Sequence, residues 1–454
     1  MDIQMTAERA RRYFAGGSTR DVGARIFSLE KLQSVLHEHE DEVLAALHDD
    51  LGKAPAEGYM TELSVVYGEI REAVAHLRRW ARPGKVMTPL AAFPAASRIY
   101  REPYGLVLIL SPWNYPVNLS LTPLVNAVSA GNVCLLKCSR RSPHTAQVLT
   151  QIVTQAFPAE WVTVIPADVT HEEVLEPRYD FIFFTGGIRA GRAVYERAAR
   201  DLVPVVLELG GKSPCIIDES ANLRLAARRI AWGKWMNAGQ TCVAVDYVVV
   251  HRSVKERFVA LLREEIERRY AHAEDRGDYP RIVNRTHYER LRALLDSETG
   301  IIGGACNERR LRIAPAIAPE ADWDHPVMAE ELFGPILPVL AYENLETLLE
   351  RLGSMPRPLA CYIFTALRRT ARRIIGTLSF GGGCVNDVLM HLSSTRLPFG
   401  GVGASGMGAY HGRAGFETFS HRKSVVHASA RFDVPLRYAP FDQAKLRFLK
   451  KLYH

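Results

Sequence analysis

Nothing in this sequence narrows its fold as sharply as the alternation of element types between residues 105 and 207. Five short, nearly all-apolar runs occur there: 105–110 (GLVLIL), 133–136 (VCLL), 161–165 (WVTVI), 181–184 (FIFF) and 203–207 (VPVVL). Stretches with helical apolar spacing separate them, at 119–129, 144–156, 172–175 and 191–199. A strand apolar on both faces must be covered on both, and strands joined through helices run parallel. The alternation therefore predicts a doubly wound parallel sheet with helices on each side. Ligands of such sheets bind beyond the carboxyl ends of the strands.

The second half repeats the texture. Strands are expected at 215–218, 247–251, 336–341 and 360–364, and helices at 223–236, 254–270, 285–295 and 345–352. A chain of 454 residues exceeds what one core supports. The fold class is thus α/β, with two doubly wound parallel-sheet domains. Ahead of them, 29–51 and 61–81 read as helices. Pro83, Pro89, Pro94 and Pro103 then mark an extended excursion. With the strand-like 424–427 it predicts a small β bridging element that completes a homodimer across a sheet edge. The expected boundaries are 1–82 with 104–208 for the first domain and 209–415 for the second. The bridging element takes 83–103 with 416–435, and 436–454 is a C-terminal tail.

Composition removes several classes of function. A net charge of +7 is modest on this length, and the basic clusters at 140–141, 309–310 and 445–451 accompany no nucleic-acid motif, so they read as solvated surface. No window approaches the run of roughly 18 apolar residues that spans a membrane. The start carries no apolar signal region. The tail is basic and amphipathic; contact with anionic lipid is one reading and packing on its own fold the other, preferred one. Seven cysteines without a CxxC pair predict neither a disulfide framework nor a zinc site, and no metal is expected. Cys134 and Cys138 read as core residues. A reducing cytoplasm fits.

The chemistry centres on Asn-Ala-Gly-Gln-Thr-Cys at 237–242. Cys242 follows a flexible Gly239 and the Thr241 hydroxyl, a setting that a buried structural cysteine does not need. Glu208 ends an apolar run within 206–214 (VLELGGKSP). A thiol with a carboxylate in apolar surroundings equips a protein for covalent acyl chemistry with an activated water. Asn114, in 111–116 (SPWNYP) directly after a strand, offers amide donors for an oxyanion; a turn asparagine between prolines is the alternative. Lys137 with Ser139 and Arg140 ends the next strand, where a ribose, a phosphate or simply solvent would meet it. Thr185, Gly186, Gly187 and Gly191 form a strand-to-helix turn that favours a pyrophosphate, though its spacing is not GxGxxG. The glycine-dense 397–408 is expected to wrap a site mouth or a seam.

Five blocks in register, PWNYP (112–116), ELGGKSP (208–214), GQTC (239–242), ELFGP (331–335) and PFGGVGASGMG (398–408), resemble the aldehyde dehydrogenase superfamily. VNDVLMH (385–391), YHG (410–412) and FETFSH (416–421) are similar to its class 3, the fatty and aromatic aldehyde branch. The resemblance implies a Rossmann-like cofactor domain first and a catalytic domain second. It implies Cys242 as nucleophile, Glu208 as the base that activates water, and Asn114 with the Cys242 N–H as oxyanion donors. It places NAD or NADP against Trp113, Lys137, Ser139, Arg140, Thr185, Gly186, Gly187, Gly191, Leu209, Glu331 and Phe333. Glu331 and Phe333 would clamp the nicotinamide ribose and ring, and Lys137 the adenosine ribose. A medium- or long-chain aliphatic or aromatic aldehyde is the implied substrate, and Tyr115, Trp232, Trp235, Leu389 and Met390 are apolar enough to line its tunnel, or equally to fill a core.

Three departures from that pattern matter. After Lys137 the family commonly has Pro-Ser-Glu; here Cys138-Ser139-Arg140 reverses a charge, which predicts that NADP is accepted well, with Arg141 assisting; the opposing reading is that Arg140 points to solvent. Gly187 replaces a usual serine, loosening the pyrophosphate grip. Val245 replaces a usual proline and bears on loop rigidity. Two rival readings are a cofactor-independent cysteine esterase or thioesterase and a non-catalytic binding protein. The first leaves the extra sheet and the 331–335 loop unexplained. The second sits poorly with intact Cys242, Glu208 and Asn114.

Overall fold

A computed structural model of the chain describes residues 1–89 and 92–453. Its first sheet has six strands in the order Gly406–Met407, Val205–Leu209, Phe181–Gly186, Leu106–Leu110, Val133–Lys137 and Val162–Ile165. The five strands expected from the apolar runs are present and parallel. The sixth, Gly406–Met407, is antiparallel to Val205–Leu209 and sets Gly406 opposite Glu208. A two-residue strand in a glycine-dense loop has no periodicity to betray it. Leu106–Leu110 is buried throughout, as its unbroken apolar run requires.

The second sheet has seven strands in the order Ile302–Gly303, Ala316–Ala318, Ile336–Tyr342, Tyr247–His251, Pro214–Ile217, Ala360–Phe364 and Gly382–Val385. All pair in parallel except Ile302–Gly303. The four central strands match the sequence expectation. The outer three are short or glycine-bearing, and escape a pattern search for that reason.

The third sheet joins Gly84–Val86, Ala96–Pro103 and Ser420–His427, all antiparallel. The proline-punctuated excursion is therefore paired strand. The expected helix over 29–51 is two helices, Val22–Glu38 and Glu40–Leu51, broken at His39. Apolar spacing runs through the break, but Glu40, Asp41 and Glu42 crowd the first turn of the second helix, where the helix dipole favours acidic residues. The 61–81 helix is Ser64–Trp80, entered through a wide π turn at Tyr59–Leu63.

The tail corrects one expectation. Helix Gln443–Tyr453 does not pack on its own fold: Phe441, Leu446 and Phe448 are exposed. No described helix is long and apolar enough to cross a membrane. Cys134 and Cys138 are buried core residues, as expected.

Candidate active site

Helix Leu223–Trp235 ends in a turn that few residues tolerate. Asn237 (φ 52°, ψ 32°), Ala238 (φ 50°) and Gly239 (φ 74°) are successively left-handed. Non-glycine residues in that region cost on the order of 1–3 kcal/mol each and persist only where surroundings hold them. Hydrogen bonds do so here. Asn237 Nδ2 donates to Asn114 O (3.0 Å) and Gln240 O (3.1 Å), and Asn237 N donates to Glu57 Oε1 (2.8 Å). Gln240 Nε2 donates to Arg281 O at 3.0 Å. At 239 any side chain would strike the Gly334 carbonyl, so glycine is obligatory. The turn delivers Cys242, part-exposed, into a cleft.

Two cavities meet at that residue. The first, about 360 Å³, is mainly apolar and holds Tyr115, Trp232, Leu389 and Met390 of the expected tunnel. The second, about 510 Å³, holds Trp113, Asn114, Thr185, Gly186, Gly187, Glu208, Leu209, Glu331 and Phe333. Cys242 and Leu119 line both. A sulfur at the junction of an apolar chamber and a polar, glycine-lined one can face a different molecule on each side.

Glu208 is 3% exposed, and neither carboxylate oxygen has a hydrogen-bond partner. Burial holds its pKa well above the ordinary carboxylate value. Cys242 is pushed up to about 12, by burial first and then by the negative charges of Glu331 and Glu208. Burial therefore disfavours the thiolate and the carboxylate alike. Asn114 is buried, its Nδ2 donating to Gln240 O at 3.1 Å, which aims the amide across the cleft toward the cysteine loop. The hydroxyls of Tyr115 and Thr241 hydrogen-bond at 2.6 Å and close the apolar chamber behind the sulfur.

On the polar side, Gly187 caps helix Ile188–Arg200, and a side chain there would meet open space. The absent serine leaves room and removes a hydroxyl. The Thr185 hydroxyl is buried without a partner. Phe333 (φ 48°) stands edge-on to Trp113, centroids 5.5 Å apart. Glu331 lies against Gly210: a Cβ at 210 would come within 2.7 Å of its Cδ. Burial raises Glu331 to about 8. Lys212, quoted only as part of a motif, anchors this loop by donating to Asp246 Oδ2 (2.6 Å), Val327 O (2.8 Å) and Glu330 O (2.9 Å).

Five expected site residues line neither cavity. Trp235 is a core residue, 1% exposed, with Nε1 donating to Pro335 O at 3.0 Å. It points away from the chamber that Trp232 and Met236, one helical turn apart, both line. Gly191 is a packing glycine: a Cβ would sit 2.6 Å from Leu209 Cδ2, outside either lining. Lys137 is buried at the strand end, its Nζ donating to Cys138 O (3.1 Å) and Ala167 O (2.8 Å), with its pKa lowered by burial. Arg140 is exposed and lines neither cavity; Arg141 lines the polar one, its Nη1 3.4 Å from His287 Nε2. Ser139, half-exposed beside them, accepts a hydrogen bond from Arg141 N at 3.2 Å. Sequence reading missed Met60, Met236, Phe399 and Tyr410 on the apolar side and His287 and Arg290 on the polar side. Met236 carried a signal in its four-residue offset from Trp232, and Phe399 in its place within the glycine-dense 397–408.

The chain is similar over nearly its whole length to known proteins. The model of the aldehyde dehydrogenase family matches residues 1–425. The 4,4'-diaponeurosporen-aldehyde dehydrogenase of Staphylococcus aureus is 41% identical over 98% of this chain and 97% of its own length. The dimeric NADP-preferring aldehyde dehydrogenase of Rattus norvegicus is 40% identical over 93% of this chain and 94% of its own. A solved structure of the substrate-bound state of Staphylococcus aureus AldH superposes with a TM-score of 0.96 at 40% identity, covering 100% of this chain and 99% of that one.

Proposed function

This chain belongs to the aldehyde dehydrogenase family, and from that premise we propose that it oxidises apolar aldehydes, medium- or long-chain aliphatic or aromatic, to carboxylic acids with NAD or NADP as oxidant. One observation carries the reading: Cys242 is common to the apolar and the polar cavity. The apolar side, with Tyr115, Trp232, Leu389 and Met390, takes the aldehyde's hydrocarbon part. On the polar side the residues suit a dinucleotide. The N–H groups of a helix start face the cleft at Gly187 with no side chain in the way, the Thr185 hydroxyl lacks a partner, and Glu331 stands where a ribose would meet it. Trp113, Leu209 and Phe333 form the walls there. Lys137, Ser139 and Arg140 hold the adenosine end, and Arg141 adds positive charge at the rim.

The oxidised nicotinamide, when bound, supplies the hydride acceptor and a positive charge beside the thiol. Cys242 sulfur adds to the aldehyde carbon as its proton is released to water in the cleft, which leaves Glu208 free for the later step. Asn114 Nδ2–H and the Cys242 N–H hold the resulting oxyanion, a contribution of about 10²–10³ in rate for one such donor. Departure of hydride leaves a thioester on Cys242. Glu208 then takes a proton from water, the hydroxide adds to the thioester carbonyl, and the acid leaves as the thiol is restored. With its pKa raised by burial, Glu208 is a stronger base once ionised than a surface carboxylate.

The same reading assigns residues 1–82 and 104–208 to dinucleotide binding and 209–415 to the thiol chemistry. It makes the protein a cytoplasmic homodimer through the 83–103 and 416–435 element. The test is reduction of NAD and NADP followed by absorbance with aldehydes of graded chain length, alongside Cys242→Ala. Aldehyde-dependent reduction that vanishes in the variant is expected. Ester hydrolysis without any such reduction would instead make the protein a cysteine esterase.

A further inference from the structure

Lys53 is wholly buried, and nothing in the chemistry above uses it. It follows Gly52, whose left-handed backbone (φ 71°) ends helix Glu40–Leu51 and turns the chain inward. Its Nζ donates to Glu62 Oε1 at 2.6 Å and to the main-chain oxygen of Asn114 at 2.8 Å, and lies 4.0 Å from the centroid of the Tyr115 ring. Glu62 is equally buried. Its second oxygen accepts from Val117 N (3.0 Å) and Asn118 N (2.9 Å), at the start of helix Asn118–Ala130, which has no side-chain cap of its own. One ion pair thus grips the PWNYP loop on both sides, at the carbonyl of 114 and at the amides of 117 and 118. Glu62 sits in the π turn Tyr59–Leu63, a rare conformation found frequently at functional sites.

Stability gives little reason to bury such a pair. Desolvating two charges offsets most of their attraction, and apolar residues of similar volume commonly hold a core as well or better. Apolar residues supply no directional donor, however. Two donors converge on Asn114 O, Lys53 Nζ and Asn237 Nδ2, while Asn114's own Nδ2 donates to Gln240 O. Backbone and side chain of Asn114 are thereby both fixed relative to the cysteine loop.

We propose that Lys53 and Glu62 are a positioning pair for the oxyanion donor, acting through the Asn114 carbonyl to hold its amide where the charge on the substrate oxygen develops. The proposal rests on the role of Asn114 given above. Oxyanion stabilisation depends on donors placed beforehand, and a misplacement near 1 Å costs about 10²-fold.

The test is a thermodynamic cycle read in the first turnover. Lys53→Met/Glu62→Gln removes both charges together and keeps an acceptor for the amides of 117 and 118. Its expected effect is a roughly tenfold slower burst of cofactor reduction, below the 10²–10³ of losing an oxyanion donor outright. Aldehyde KM and cofactor Kd should stay within about twofold of wild type. In the Asn114→Ala background the same double change should add nothing, because the group being positioned is gone. A merely structural pair would slow both backgrounds alike; that additivity, or no loss in the wild-type background, overturns the proposal. Lys53→Arg keeps the charge and the bond to Glu62 but displaces the donor to Asn114 O. If the double variant fails to fold, Lys53→Arg is expected to show the same selective loss, and a wild-type burst there overturns the proposal. A wild type with no aldehyde-dependent reduction at all would sink the assigned function first, and is distinguished from the other outcomes by that control.

Discussion

Gly210→Ala is a one-carbon change that tests Glu331 without altering it. Gly210 is buried and not left-handed, so alanine meets no backbone penalty there. The added Cβ would lie 2.0 Å from Glu331 Oε2 and 2.7 Å from its Cδ and Oε1. Non-bonded heavy atoms rest at about 3.5–4.0 Å, so the carboxyl must retreat by roughly 1–1.5 Å. If Glu331 holds the nicotinamide ribose, then above its pKa of about 8 the retreat forfeits hydrogen bonds to a charged group, worth about 1.5–3 kcal/mol. That corresponds to cofactor binding weaker by roughly 10- to 150-fold, at 1.4 kcal/mol per tenfold. The assay is titration of Trp113 fluorescence with NAD and NADP, together with a thermal melt. The melt should be unchanged or slightly raised, since alanine restricts the unfolded chain more than glycine does. An unaltered Kd in a variant of normal melt would refute the placement of Glu331 at the ribose.

Glu208→Gln should leave the first-turnover burst intact and lower steady-state turnover by about 10²–10⁴, the usual contribution of a positioned base; loss of the burst too would make Glu208 the base for the thiol alone. Because burial raises the pKa of Glu208, the wild-type hydrolysis step should rise with pH over a range above that of an ordinary carboxyl, and a flat profile would count against its role as base. Glu331 carries a stability signature of known sign. Its folded pKa of about 8 lies above the unfolded value of 4.5, so the native state keeps a proton that the unfolded chain loses, and stability should fall as pH rises from roughly 4.5 to 8. Glu331→Gln should flatten that part of the profile, measured as urea midpoints across the range. Exchange of charge at the strand end separates two arginines. Arg141, on the cavity rim, should change the NADP-to-NAD ratio of kcat/KM when made glutamate, and the same ratio in Arg140→Glu measures whether the exposed Arg140 contributes.

The candidate site was legible because its residues are bound to local rules. Glu208 ends a strand whose apolar run is plain, and Cys242 follows a glycine that the turn cannot do without. Asn114 follows the carboxyl end of another strand directly. Trp235 was misplaced because composition cannot give the phase of a helix: Trp232 and Met236 line the chamber, and the ring of 235, a fraction of a turn around the helix, is buried in the core. Gly191 was misread because a glycine needed for packing and one needed for a ligand look alike until Leu209 is seen against it. The antiparallel strand Gly406–Met407 has two residues and no pattern.

Local order, then, was written in the chain: apolar runs long enough to be strands, spacings that make helices, and a thiol and a carboxyl at their ends. Those features depend on neighbours within a few residues, and any reader of the sequence has access to them. Which groups meet was settled by packing alone. Lys53 reaches Asn114 across 61 positions, Arg281 meets Gln240 across 41, and Gly406 closes on Glu208 from nearly 200 residues away. Contacts of that kind carry no periodicity, because their energy comes from burying distant surfaces together. The raised pKa values of Glu208 and Cys242 are products of the same burial, and they exist only in the folded molecule.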